Sequence, residues 1–255
     1  MTDRVSALEG RAALVTGAGV GIGRAAVETL AARGAFVGVH FHSSESGAAQ
    51  TLAGIRERGG EGVLLRADLT IAEQCHRLVD DFVAQAGHLD ILVNNAGSPV
   101  EHVRIEDCAL ETWQQILSVN LSSAYLVTQR AIPHLRSSGN GVVINNLSLS
   151  VQTGGANGAG PYAIAKGGLQ VMTRTLAREL APDVRTNAIM PGVIETRHHE
   201  VYTSPERMAE YRAETPLGRN GQADEVAEAI AFLASDASRF INGATLDING
   251  GRFLR

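Results

Sequence analysis

Short apolar runs alternate with longer stretches of helical periodicity along this chain of 255 residues. The apolar runs predict seven strands, at 12–17, 36–41, 62–69, 89–97, 141–147, 184–192 and 243–250. Apolar residues spaced by three or four positions predict helices at 23–34, 46–60, 72–87, about 111–138, 161–181 and 223–235. Strands separated by helices of this length form parallel βαβ units. We therefore predict an α/β fold with one doubly wound domain over residues 1–255. Its parallel sheet should have about seven strands, with helices on both faces.

Composition agrees with buried parallel strands and narrows the range of partners. Hydrophobic residues make up 44% of the chain, aromatic residues only 4%, and glycine occurs 28 times, which suits aliphatic strands and tight turns. A formal net charge of -5 gives no reason to expect nucleic acid or an anionic membrane surface. Cys75 and Cys108 match no metal-binding spacing, and no apolar run approaches the ~20 residues of a membrane span. The first residues lack a signal-peptide pattern. We predict a cytoplasmic protein without a metal site.

A glycine-rich turn, "TGAGVGIG" at 16–23, joins the first predicted strand to the first predicted helix. Gly17, Gly21 and Gly23 allow the backbone to turn sharply and to approach a ligand closely. The helix that follows presents free N–H groups and a positive dipole end to a pyrophosphate. The spacing is not the strict dinucleotide fingerprint, and a turn that merely packs is the alternative. Its position between strand and helix favours dinucleotide binding.

Tyr162 and Lys166 stand four residues apart in a predicted helix, so their side chains share one face. A free tyrosine has a pKa of ~10 and is a poor acid or base at neutral pH. A neighbouring cation favours the phenolate and lowers that pKa. Tyr162 could then exchange a proton with a substrate oxygen. The alternative is an ordinary amphipathic pair at a helix start.

Four motifs in order, "TGAGVGIG", "NNAG" at 94–97, "YAIAK" at 162–166 and "PG" at 191–192, resemble the short-chain dehydrogenase/reductase family over essentially the whole chain. The resemblance implies a Rossmann-type fold and hydride transfer between a nicotinamide and a carbonyl or secondary alcohol. Among family members the chain looks most similar to 3-oxoacyl (acyl-carrier-protein) reductases. That group often carries basic residues where this chain has "LAPDV", with Asp183. The substrate therefore stays open between a 3-oxoacyl group, a small ketone or diketone, and a sugar.

The family's catalytic serine, which binds the substrate oxygen, has two candidates here. The usual spacing to the tyrosine falls on Leu149, between Ser148 and Ser150. Alignment from the preceding strand favours Ser148, because the glycine-rich loop up to the tyrosine can absorb one extra residue at small cost. Strand alternation places both serines on one face, so pattern alone leaves Ser150 open.

The resemblance also implies roles for the remaining site residues. Asn120 would hold a water in the proton path to Lys166, Asn94 would bond neighbouring backbone, and Asp68 would accept a hydrogen bond from the adenine amino group. The implied catalytic set is Ser148, Tyr162, Lys166 and Asn120. The implied cofactor contacts are Gly17, Gly21, Ile22, Gly23, Asp68, Leu69, Asn94, Ala96, Gly97, Tyr162, Lys166, Pro191, Gly192, Ile194 and Thr196.

The end of the second predicted strand indicates which dinucleotide is used. An acidic residue there would bond the ribose 2′-hydroxyl and repel a 2′-phosphate. In this chain, Phe41 stands at the position of that acidic residue. His42 and Ser43, which follow it, can donate hydrogen bonds to a phosphate, and Arg24 is a further candidate. This favours NADP(H), with NAD(H) as the alternative because Glu45 also follows closely.

We therefore predict an NADP(H)-dependent oxidoreductase, a carbonyl reductase, with a substrate lid over 193–221. The two long predicted helices at 111–138 and 161–181 carry more small and apolar residues than one buried stripe needs. Since the family packs these helices between subunits, we expect a homotetramer. The alternatives are an NAD-dependent alcohol dehydrogenase and a non-enzymatic dinucleotide sensor of the same fold.

Overall fold

A seven-stranded parallel sheet forms the centre of the computed structural model, which describes residues 7–196 and 203–254. The strands are β1 (Ala12–Val15), β2 (Phe36–Phe41), β3 (Gly62–Arg66), β4 (Ile91–Asn94), β5 (Gly141–Asn146), β6 (Val184–Pro191) and β7 (Thr245–Ile248). Their order across the sheet is β3-β2-β1-β4-β5-β6-β7, and every neighbouring pair is parallel. The order reverses direction between β1 and β4, where doubly wound sheets bind ligands. The predicted fold class is confirmed.

Helices cover both faces of the sheet, as the sequence predicted. They are α1 (Gly21–Ala32), α2 (Glu45–Glu57), α3 (Ala72–Ala86), α4 (Leu110–Leu117), α5 (Ser123–Ser137), α6 (Ser150–Thr153), α7 (Gly160–Glu179), α8 (Pro205–Glu214) and α9 (Ala223–Ala234). Apolar side chains of α1, α2 and α9 pack on one face, and those of α3, α5 and α7 pack on the other. The sheet is buried on both sides, which explains why its strands are nearly continuous apolar runs.

The long helix predicted over 111–138 is interrupted in the structure. A π-helical turn, Ser118–Ser122, separates α4 from α5 and holds Asn120. Such turns often occur at functional sites, because the extra residue turns a side chain out of helical register. Apolar spacing in a sequence does not reveal a single inserted residue, so the two helices look continuous in the pattern.

Part of the predicted lid over 193–221 forms a helix that the sequence pattern did not indicate. Helix α8 is strongly polar, and Ser204 caps it by accepting a hydrogen bond from the Arg207 N–H at 3.3 Å. Residues 197–202 of the predicted lid lie outside the described residues. The short helix α6, directly after β5, was also absent from the sequence prediction.

Candidate active site

The carboxyl ends of the strands open into one elongated cleft of about 760 Å³. A cleft of this size is typical of sites for small molecules and cofactors. Most of the residues predicted for the site line it: Gly17, Gly21, Ile22, Gly23, His42, Ser43, Asp68, Leu69, Ala96, Gly97, Ser148, Tyr162, Lys166, Pro191, Gly192, Ile194 and Thr196. The structure thus brings together residues from both ends of the sequence. Asn94 and Asn120 do not line the cleft.

The glycine-rich turn enters the cleft with the geometry that a phosphate group needs. Gly17 has a φ of 66°, a left-handed conformation that favours glycine. Helix α1 follows, its N-cap Val20 supplies no side-chain hydrogen bond, and its first turn holds no acidic residue. The first N–H groups of the helix are therefore available to an anion. The residues present fit the pyrophosphate of a dinucleotide.

A buried histidine that sequence reasoning missed positions this turn. His40 of β2 accepts a hydrogen bond at its Nδ1 from the Gly17 N–H, at 2.9 Å. Its Nε2 lies 3.1 Å from the carbonyl oxygen of Ala67 and donates to it. Burial lowers the pKa of His40 to about 4, so the ring is neutral near pH 7. A histidine in an apolar strand looks like an ordinary core residue, so no sequence signal distinguishes it.

Polar groups surround the far end of the cleft, where an adenosine would bind. His42 Nε2 lies 3.7 Å from Asp68 Oδ2. Hydrogen bonds from the Thr70 hydroxyl and N–H, at 2.7 and 2.9 Å, lower the pKa of Asp68. Asp68 is therefore ionised near neutral pH and can accept a hydrogen bond. Arg24 instead pairs with Glu28 at 3.1 Å and does not line the cleft.

The structure places Asn94 beneath the cleft. Its Nδ2 donates to Thr128 Oγ1 at 2.8 Å and to Asn145 Oδ1 at 2.9 Å. These partners are side chains, where the sequence predicted backbone bonds and a cofactor contact. The next residue, Asn95, lines the cleft and donates to the carbonyl oxygens of Thr16 and Gly17. Asn95 thus holds the glycine turn, while the cofactor contact of Asn94 stays a prediction.

Asn120 is buried and fixes the backbone beside Lys166. Its Nδ2 donates to the carbonyl oxygens of Ser98, at 2.7 Å, and Ile116, at 2.9 Å, while its Oδ1 accepts from the Ser98 N–H at 3.0 Å. A Cβ atom on Gly97 would lie 2.7 Å from Asn120 Oδ1 and 3.1 Å from Lys166 Nζ. Glycine is therefore required where these side chains converge.

The structure distinguishes the two candidate serines by their contacts. A hydrogen bond joins Ser148 to Tyr162, and the Ser148 oxygen also accepts from the Ser150 N–H at 3.2 Å. The Ser150 hydroxyl is buried and has no hydrogen-bond partner among the described residues. Both serines line the cleft. Of the two serines, Ser148 is the one that is hydrogen-bonded to Tyr162.

Tyr162 is a neutral phenol in this structure. Burial raises its pKa to about 12, and the hydrogen bond with Ser148 opposes that rise by a smaller amount. The sequence predicted a pKa below the usual value, as an effect of Lys166, whereas burial and the bond with Ser148 are the causes that act on this phenol. The side chain keeps part of its surface open toward the cleft. A neutral phenol is the protonation state required to donate a proton to a substrate oxygen.

Lys166 is fully buried beside Tyr162 and is the only lysine in the sequence. Its Nζ donates to the carbonyl oxygen of Asn146 at 2.7 Å and lies 5.8 Å from the centre of the Tyr162 ring. Burial lowers its pKa to about 8. With a pKa of about 8, Lys166 is mostly charged at pH 7 and loses its proton about one pH unit higher.

A glycine-rich turn that fits a pyrophosphate and a Ser–Tyr–Lys set line one cleft, an arrangement typical of oxidoreductases that use a nicotinamide dinucleotide. A family model described as Enoyl-(Acyl carrier protein) reductase matches residues 17–252. The chain belongs to the short-chain dehydrogenase/reductase family, as its motifs suggested.

Characterised relatives differ in their substrates. The chain is 39% identical over 249 residues to the 3-oxoacyl-[acyl-carrier-protein] reductase of Escherichia coli K12, covering 96% of this chain and 98% of that protein. It is 34% identical to glucose 1-dehydrogenase 2 of Bacillus subtilis, covering 97% and 96%. The crystal structure of the NADH-dependent reductase A1-R′, responsible for alginate metabolism, superposes with a TM-score of 0.89 at 34% identity, covering 98% of this chain and all of that one. The family is therefore clear, while its members named here act on different carbonyl compounds or sugars.

No helix in the described part of the chain is long and apolar enough to cross a membrane. Within residues 7–196 and 203–254, no cluster of three histidine, cysteine or acidic side chains could hold a metal ion.

Proposed function

We propose that this protein is an NADP(H)-dependent reductase of a small carbonyl compound, working reversibly on the corresponding secondary alcohol. The observation that carries the proposal is the neutral Tyr162, hydrogen-bonded to Ser148 and packed beside buried Lys166. These three residues supply a proton donor, a second donor for the same oxygen and a cation nearby. Such a set has no evident use in a protein that only senses a dinucleotide.

The chain's own residues perform the proton chemistry. The Ser148 hydroxyl can donate to the substrate oxygen, because its own oxygen is already held by the Ser150 N–H. Tyr162 donates its phenolic proton to that oxygen as negative charge develops there. Charged Lys166, fixed by the Asn146 carbonyl, stabilises the resulting phenolate. A bound nicotinamide dinucleotide supplies the hydride at the carbonyl carbon.

Residues around the cleft would hold the dinucleotide along its length. The first turn of α1 would bind the pyrophosphate, and Asp68 would accept from the adenine amino group. Ile194 and Thr196, which line the cleft after β6, would hold the nicotinamide amide. Gly97 leaves space for the ribose beside Lys166.

The choice of NADP(H) rests on the end of β2. Phe41 occupies the position where an acid would repel a 2′-phosphate, and His42, Ser43 and Ser44 line the cleft next to it. All three can donate hydrogen bonds to a phosphate. Arg24 is engaged with Glu28, so the proposal depends on these donors. The reductase A1-R′ is NADH-dependent, which keeps NAD(H) as the alternative that the assay must test.

The deciding experiment measures oxidation of NADPH and NADH by the purified protein across a panel of ketones, diketones, 3-oxoacyl thioesters and keto sugars. We expect turnover with a higher kcat/KM for NADPH. The variant His42→Asp should reverse that preference, because it adds an acid beside the ribose. A preference for NADH in the wild type contradicts the cofactor assignment and leaves the proton chemistry standing. Tight binding of either dinucleotide with no turnover on any compound contradicts the reductase proposal.

We also propose that the protein is a homotetramer. Helices α4, α5 and α7 expose large apolar side chains, namely Leu110, Tyr125, Ile164 and Val171. Exposed apolar surface on neighbouring helices is typical of an interface. Light scattering should give a tetramer mass, and a single monomer peak contradicts this proposal.

A further inference from the structure

Two arginines, one on α8 and one near residue 250, come together in the cleft that also holds Tyr162 and Ser148. Arg207 of α8 and Arg252, near the end of the chain, both line the cleft together with Tyr211. Their guanidinium carbons lie 4.5 and 4.3 Å from the centre of the Tyr211 ring. This stacking fixes both guanidinium groups against one aromatic ring. The proton chemistry derived above does not use either arginine.

The acidic partners of these arginines lie away from the cleft. Glu210 contacts Arg207 at 2.5 Å, and Glu214 pairs with both arginines. The two glutamate side chains are 58% and 48% exposed and do not line the cleft. Among the described residues, Asp68 at the adenosine end is the only carboxylate in the lining. Within the described lining, Arg207 and Arg252 therefore have no carboxylate beside them that faces the cleft.

Each guanidinium group also has one buried nitrogen that lacks a hydrogen-bond acceptor within the described part of the chain. Arg207 Nε and Arg252 Nη1 are buried and have no hydrogen-bond partner among the described residues. A buried donor without an acceptor is costly, and in a cleft a ligand can supply the missing acceptor. The side chain of Arg252 is only 15% exposed. An anionic ligand that entered this end of the cleft could satisfy both donors.

We propose that the carbonyl substrate carries a carboxylate group, which Arg207 and Arg252 bind while Tyr162 and Ser148 engage the carbonyl oxygen. This substrate class rests on the proposed reductase function. Guanidinium groups match a carboxylate in geometry and form strong charge-assisted hydrogen bonds with it. Glu210 and Glu214 hold the arginines from the solvent side, and both guanidinium groups stack on Tyr211. The substrate is thus an oxo acid, in open-chain or sugar-acid form.

The test compares oxo acids with their neutral esters. Acetoacetate, 4-oxopentanoate and 5-oxohexanoate are each assayed beside the methyl ester, because the series varies the distance between carbonyl and carboxylate. The variants are Arg207→Gln and Arg252→Gln. Arg212→Gln is the matched control, since Arg212 is exposed on the same helix and does not line the cleft.

We expect the wild type to prefer at least one acid to its ester. Each of the two arginine variants should lower kcat/KM for that acid by about 10- to 100-fold, as loss of a charged hydrogen bond predicts, with little change for the ester. The control should leave the acid-to-ester ratio unchanged. Equal losses on acid and ester, or a wild type with no preference for any acid, overturn the proposal. These results would show that the two arginines have only a structural role, in packing the residues around Arg252 against α8.

Two further arms separate this proposal from its rivals. Acetoacetyl-coenzyme A is assayed with the same variants. If kcat/KM falls for this thioester and not for the oxo acids, the arginines bind a phosphate, and the proposed carboxylate site is wrong. Saturation-transfer NMR measures binding of 4-oxopentanoate and its methyl ester to the protein with NADP⁺, without turnover. Arginine-dependent binding of the acid supports the site even if the reductase proposal fails. Equal binding of acid and ester in all variants contradicts it.

Discussion

Replacing the single lysine with methionine should stabilise the folded protein at neutral pH. The pKa of Lys166 falls from 10.5 to about 8 on burial, which corresponds to a cost of about 3 kcal/mol for keeping the charge in the folded state. Lys166→Met removes that cost. It also removes the hydrogen bond to the Asn146 carbonyl, which offsets about 1–2 kcal/mol. We expect a net gain of about 1–2 kcal/mol in the free energy of unfolding at pH 7.

The pH dependence gives this prediction its sign. Between pH 8 and pH 10.5 the unfolded chain binds more protons at this lysine than the folded chain, so wild-type stability rises with pH. Below pH 8 both states are protonated and the cost is constant. By about pH 9.5 the cost should fall to about 1 kcal/mol, so the advantage of Lys166→Met should shrink by about 2 kcal/mol.

Urea unfolding followed by the fluorescence of Trp113, the only tryptophan, measures both values at one protein concentration. Gln170→Met, a buried polar residue on the same helix, is the matched control and should show no such pH dependence. Selective ¹³C labelling of lysine gives an independent check, because it yields one side-chain signal in the whole chain. A titration midpoint near the ordinary lysine value, or a variant advantage that does not change with pH, would refute the reasoning.

Three further predictions concern the serines, the glycine turn and the end of α9. Ser148→Ala should lower kcat by about 100-fold or more, as loss of an oxyanion donor does, while Ser150→Ala should change it little; steady-state kinetics decides. His40 has its pKa lowered to about 4, so its contribution is full above pH 6.5 and is lost as the pH falls toward 4. Between about pH 7.5 and about pH 5, urea unfolding should show the wild type losing about 2 kcal/mol more than His40→Asn. Arg185 donates to the Leu233, Ser235, Ser238 and Ile241 carbonyls, so Arg185→Ala should cost about 3 kcal/mol of stability in the same assay.

The strands and most helices follow from the sequence because parallel sheets bury both faces. The prediction of 36–41 coincides with β2, and that of 72–87 ends one residue beyond α3, where Gly87 adopts a left-handed conformation. Continuous apolar runs mark the strands, and glycines mark the helix ends. Both signals can be recognised from the local sequence alone. Helix α8 escaped prediction because it is polar on nearly all sides and its stability depends on Ser204, Tyr211 and its neighbours.

The part of the candidate site that lies within one short motif could be predicted from the sequence. Tyr162 and Lys166 share one helix, so their proximity follows from helical spacing alone. Alignment from the strand already favoured Ser148 over Ser150, and the hydrogen bond between Ser148 and Tyr162 agrees with that choice. The stacking of Arg207 and Arg252 on Tyr211 could not be predicted, because it depends on the tertiary path of the chain.

The measurement that tests the central claim most directly compares wild type with Tyr162→Phe, using dinucleotide binding and turnover on the best carbonyl compound. The substitution removes the phenolic proton and keeps the ring. We expect unchanged dinucleotide affinity by fluorescence titration, together with a kcat lowered by about 100- to 10,000-fold, the contribution of a general acid. Turnover that persists in Tyr162→Phe at the wild-type rate would contradict the account, because the proton would then come from another group.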